Sequence, residues 1–222
     1  MQKLTRAALL CAASLVLSAA VAGATPITFH VTVNTASLVG NGAAPFAIDF
    51  QLNGGTPFGN SATITNFTFG GGAATTTPPV TTFGLASGSL TSAVTLQSNS
   101  LNAFNEFYQG FSPGSFFAFD LQLTRNVNSP QPDVFSFAIL DGLLGNIPTT
   151  GGVTFGDALF VVNLDTPAAG AAGGQTFNGT GAFSGVTVTA VVTPEPVSLL
   201  LVGGALAGAG ARRWRRQSGR SA

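Results

Sequence analysis

The sequence predicts an all-β fold: a single antiparallel β-sandwich, with jelly-roll-like wiring as one option, flanked by an N-terminal signal helix and a C-terminal apolar helix. Three observations carry this expectation. Apolar and polar residues alternate along short segments, clusters of Gly, Pro and Asn separate those segments, and no stretch between residues 25 and 193 sustains a helical period.

In the first segment Ile27, Phe29, Val31 and Val33 share one face while Thr28, His30 and Thr32 share the other, the pattern of a half-buried strand. The same period recurs in Phe46-Ile48-Phe50-Leu52, in Phe117-Phe119-Leu121-Leu123, in Phe135-Phe137-Ile139 and in Val186-Val188 with Ala190 and Val192. Further strands are expected near Ala62–Phe69, Leu90–Leu96, Phe104–Phe111 and Asp157–Leu164, about nine in all. Asn53-Gly54-Gly55 and Asn128-Ser129-Pro130 supply turn chemistry between them. The strings around Asp49 and Asp120, Phe-Ala-Ile-Asp-Phe-Gln-Leu and Phe-Ala-Phe-Asp-Leu-Gln-Leu, are alike, but their flanks do not continue the match; they read as two similar strands. Asp49, Gln51, Asp120 and Gln122 are then expected on outward faces, giving solubility and protection against edge pairing.

The chain ends carry different signals. Basic Lys3 and Arg6 precede an apolar run from Ala7 to about Ala22, and Ala22-Gly23-Ala24 fits the small-x-small pattern of a signal peptide cleaved between Ala24 and Thr25. Cys11 lies inside that run, without the small preceding residue a lipidation site needs. At the other end Thr193 leads into Pro194-Glu195-Pro196, an apolar stretch Val197–Ala211, and the cluster Arg212, Arg213, Trp214, Arg215, Arg216. The prolines stop the preceding strand, the apolar run enters a bilayer, and the arginines hold the cytoplasmic side. The run of 15 residues falls short of the roughly 20 that cross a hydrocarbon core, which suits a transient stop-transfer signal better than a permanent anchor. The expected organisation is a signal peptide over 1–24, one domain over 25–193, a tail over 194–216 and a polar end over 217–222.

Motif, apolar helix and arginine cluster in that order resemble the PEP-CTERM sorting tail of exported proteins in exopolysaccharide-producing Gram-negative bacteria. Thr193 and Val197 stand where that family often has Val and Ser or Thr. Val31–Leu38 and Phe104–Phe111 also resemble a group of small PEP-CTERM proteins of unknown function. The resemblance implies signal peptidase and an exosortase as processing partners, passage through the inner membrane by way of the tail, and a final place at the cell surface or in a biofilm matrix near exopolysaccharide.

Removing the two ends changes the charge balance. Seven of the eight basic residues belong to them, so residues 25–193 hold seven acids against Arg125 alone, a net charge of −6. No clustered Lys and Arg exist there to neutralise phosphates, which argues against nucleic acid as a partner. The domain also lacks cysteine, so neither a disulfide nor a thiolate metal ligand is available to it.

Residues suited to catalysis are sparse, and the expectation is a protein that is not an enzyme, with no cofactor. Gly110-Phe111-Ser112-Pro113-Gly114 matches the letters of a nucleophile elbow, but Pro113 and the strand that follows predict a hairpin turn in place of the required helix, and His30, the single histidine, lies upstream. Calcium is a weak option, with Asp133, Asp141, Asp157 and Asp165 near expected strand ends but no EF-hand spacing. Two further readings stay open. One is a carbohydrate-binding module, although Tyr108 is the sole tyrosine, Trp214 sits in the tail, and the phenylalanines are expected in the core. The other is a glycosidase-like enzyme, which needs two carboxyl groups across a groove.

Overall fold

The computed structural model describes residues 26–55, 59–124, 133–164 and 173–193. The signal segment, the Pro194–Arg216 tail, Arg125 and Asp165 lie outside these residues. Among the described residues no helix is long and apolar enough to cross a membrane.

Among the described residues thirteen strands form two antiparallel sheets. In chain order they are β1 (Ile27–Asn34), β2 (Phe46–Asn53), β3 (Ser61–Thr68), β4 (Ala73–Ala74), β5 (Thr81–Phe83), β6 (Leu85–Gly88), β7 (Val94–Gln97), β8 (Phe104–Ser112), β9 (Phe116–Leu123), β10 (Val134–Leu140), β11 (Phe160–Asn163), β12 (Gly174–Thr176) and β13 (Thr187–Thr193). Sheet A has the order β13-β1-β9-β3-β7-β6; sheet B has β12-β11-β10-β2-β8-β4, with β5 also paired to β8.

The alternating residues meet between the sheets, giving a sandwich-like all-β architecture. Phe29, Val31, Val33, Phe117, Phe119, Leu121, Ile64 and Leu96 of sheet A pack with Phe46, Ile48, Phe50, Phe107, Phe135, Phe137 and Phe160 of sheet B in one buried cluster. Phe50 lies at its centre. Its ring stands edge-on to Phe119 across the sheets at 5.2 Å and lies within 6.4 Å of Phe107, Phe135 and Phe137. The two similar strands β2 and β9 are therefore central partners on opposite sheets, which explains why both alternate Phe and Leu with polar residues.

All nine expected strands are present, with shifts at two. The Leu90 segment becomes strand only from Val94, because Ser89–Ser92 form a turn; the Asp157 segment becomes strand only from Phe160. The expected hairpin after Phe111 is corrected: β8 belongs to sheet B and β9 to sheet A, so Pro113-Gly114 is a corner that carries the chain between sheets.

A second corner is tighter. β5 of sheet B and β6 of sheet A are separated by Gly84 alone, at φ +65°, and a Cβ there would fall inside contact distance of the Phe104 carbonyl oxygen and Asn105 Oδ1. Gly84→Ala meets both the left-handed penalty and backbone overlap, so a loss of about 2–3 kcal/mol is expected, measurable as a lower urea midpoint with unchanged m. Asn105 itself faces the interior on β8, beside Phe107. Its Oδ1 accepts from Leu85 N at 2.8 Å and its amide donates to the carbonyls of Leu52 and Asn102. Gln109 acts likewise, accepting from Leu90 N at 2.9 Å and donating to Thr75 O. These inward amides satisfy backbone groups at the joins between sheets, where an apolar side chain would leave those groups unpaired.

Candidate functional site

The outward faces of the two sheets carry the polar halves of β2 and β9, and the two aspartates meet opposite surroundings. On sheet A, Asp120 accepts from Asn66 Nδ2 at 2.7 Å and lies 2.7 Å from His30 Nδ1. Slight burial alone would raise its pKa, but the hydrogen bonds from Asn66 and His30 and the imidazole charge outweigh burial and hold it below the usual carboxylate value. Asn66 reaches Asp120 from a left-handed backbone position, φ +56°, at the irregularity where β3 shifts register on β9.

On sheet B the outcome reverses. Asp49 points outward, as the alternation predicts, but it is 2% exposed and does not serve as a solvated surface group. The expected solubility role is corrected accordingly. The long connection from β10 to β11, with its 3-10 turn at Gly152–Phe155, supplies lining residues on this face. The cover is pinned by Asn146, whose amide donates to the Gly156 carbonyl at 2.6 Å, and by Asp157, which accepts from Thr149 N at 2.9 Å.

Between sheet and cover runs a groove of about 490 Å³. Ser136 and Ala138 of β10 make a floor of small side chains; Asp49, Gln51 and Asn53 of β2 line one side, Val161 and Asn163 of β11 the other, and Phe155 stands above. Phe155 lies against Phe177, with ring centroids 4.6 Å apart and the ring planes tilted by 30°, outside the core cluster. The expectation that phenylalanines belong to the core is corrected for this pair and for Phe83, Phe104 and Phe116, which are exposed. Polar amides with one aromatic wall can hold a hydroxyl-rich ligand by hydrogen bonds and ring contact.

Gln51 ties two acids together. Its Nε2 donates to Asp49 Oδ2 at 2.8 Å and to Glu106 Oε1 at 3.0 Å, Glu106 being its cross-strand partner on β8. Asp49 Oδ1 has no hydrogen-bond partner. Burial, then the charge of Glu106, raise the Asp49 pKa to about 8 against a smaller opposing effect of the Gln51 bond; burial raises Glu106 as well. A glycosidase pair must receive the scissile oxygen between its carboxyl groups, and here the Gln51 amide occupies that place.

The other sequence-derived candidates are dispersed. Ser112 ends β8 and lines a second cavity with Thr75, Thr76, Thr77 and Phe46, whereas His30 is on the outer face of sheet A beside Asp120. Asp133 accepts from Gly55 N and Ser98 Oγ, and Asp141 from Leu143 N and Gly145 N, so these two carboxylates, like Asp157, hold loops together. No group of three or more metal-ligating side chains occurs among the described residues. Ala22, Ala24, Pro194, Glu195, Pro196, Arg212, Arg213, Arg215 and Arg216 fall outside them, as does Thr25.

Fold and groove together define, among the described residues, an all-β, two-sheet architecture with an acid-bearing polar groove on an outer sheet face. No family model, curated protein or solved structure matches the chain.

Proposed function

We propose that the protein is an exported, non-enzymatic component of the cell surface or extracellular matrix that associates with exopolysaccharide through the groove on sheet B. In this reading signal peptidase cleaves after Ala24, the tail from Pro194 to Arg216 is the PEP-CTERM address on which an exosortase acts, and the inner membrane is a way station. The orders β1-β9-β3-β7 and β2-β8-β4 support a jelly-roll-like wiring of the exported domain. The carrying observation is the groove itself: Gln51, Asn53, Ser136, Asn146 and Asn163 beside Phe155 offer hydrogen-bond donors, acceptors and one ring along a single sheet face. The carbohydrate-binding module reading is favoured by the same observation, and the glycosidase reading is disfavoured by the position of the Gln51 amide.

Two measurements test it. Intact mass of the exported protein is expected to give a chain that begins at Thr25 and lacks the Arg212–Arg216 cluster; mature material retaining both Lys3 and that cluster overturns the sorting claim. A glycan array probed with the exported protein is expected to show binding that Phe155→Ala weakens, and a blank across neutral, basic and acidic glycans overturns the saccharide claim.

A further inference from the structure

We propose that the sheet B groove binds a glycan bearing a free amino group, whose ammonium takes the place beside Asp49 and Glu106 that no cationic side chain among the described residues fills. This rests on the saccharide reading above and adds the charge of the ligand. The two carboxyl groups share a single amide, and Asp49 Oδ1 is left buried without a partner. A buried polar atom with no partner costs free energy that an arriving partner recovers.

Among the described residues, the neighbours of Asp49 leave its Oδ1 without a partner. Across the sheet it faces Tyr108 on β8 and Ala138 on β10, with Gln51 and Glu106 one step along and Asn146 and Gly156 in the same groove lining. The described residues include no Lys or Arg, and His30 is engaged on the opposite sheet. A uronic acid or sulfated sugar would bring a further anion toward Glu106 and is disfavoured by charge repulsion. A divalent cation needs about six to eight oxygen ligands, and this site offers two carboxyl groups and one amide.

Proton balance follows from the same geometry. Without a cation the Asp49 carboxyl holds its proton at neutral pH; when the ammonium arrives, Asp49 becomes the carboxylate partner and the proton goes to solvent. Apart from this proton transfer to water or buffer, no covalent bond is made or broken.

The test is titration calorimetry of the exported protein at pH 7 in two buffers of different ionisation heat, with glucosamine trimer, N-acetylglucosamine trimer and galacturonic acid trimer. The expected result is preferential binding of the glucosamine trimer with release of about one proton, and loss of that release with about tenfold or weaker affinity in Asp49→Asn. Glu106→Gln, a change on a partly exposed residue, is expected to weaken the same ligand. Equal binding of the acetylated trimer without proton release overturns the inference and leaves the saccharide reading standing. Preference for the galacturonic acid trimer does the same. Proton release on adding calcium chloride alone overturns it in favour of a metal site, and no binding of any trimer overturns both readings.

Discussion

Asp49→Asn is expected to stabilise the protein at pH 9 by several kcal/mol and to flatten a fall in stability that the unsubstituted protein shows between about pH 4 and pH 9. Burial and the Glu106 charge raise the folded-state pKa of Asp49 from 3.8 to about 8. The folded chain then holds a proton that the unfolded chain releases, so this group contributes its stability below the ordinary carboxylate range and loses it as pH climbs to about 8. A difference of that size corresponds to on the order of 5 kcal/mol across the interval. Asparagine keeps the shape of the protonated acid and cannot ionise, so the variant is expected to match the parent near pH 4 and exceed it at pH 9. Glu106, also raised, adds to the slope; Asp120, lowered, contributes stability that is lost on the acid side instead. Urea midpoints at pH 4, 7 and 9 check this, and a variant whose stability falls as steeply as the parent's refutes it.

The second large effect belongs to the residue beside it. Phe50→Ala removes a fully buried ring that contacts Phe67, Phe107, Phe119, Phe135 and Phe137, on both sheets. The neighbours are themselves rings held on strands, so the site closes poorly over the void, and the loss is expected at the upper part of the 3–5 kcal/mol typical of Phe truncation, about 4–5 kcal/mol. Leu143→Ala, on a side chain 92% exposed, is expected to change stability by less than about 0.5 kcal/mol. Chemical denaturation of the two variants separates the cases: if Phe50→Ala costs no more than Leu143→Ala, the two-sheet core is wrong.

Neighbouring positions on one strand thus pull in different directions, and the sequence makes only one of them plain. Alternation places Phe50 inward and Asp49 outward. What it does not carry is that outward means buried on sheet B, because the cover comes from residues about a hundred positions later whose Gly, Pro and Thr content reads as loop. The Phe155–Phe177 pair is hidden for the same reason, each phenylalanine sitting in a segment without strand period. Strands β4, β5, β6 and β12, of two to four residues, are too short for a period to show. Asn105 and Gln109 were within reach: both share the parity of Phe107 and Phe111, so the pattern itself turns two amides inward.

The β1–β13 pairing has a mechanical consequence. Thr28 sits opposite Thr193, so the first and last described strands end together at one end of an antiparallel pair, and among the described residues β13 pairs with β1 alone. Tension applied between those ends loads the rungs one after another, from Thr193 back toward Thr187, in the manner of a zipper. The seven residues of β13 would pay out roughly 25 Å of slack before the phenylalanine interior feels any pull. A domain wired this way behaves as a compliant link with a rigid body, yielding first at its last strand.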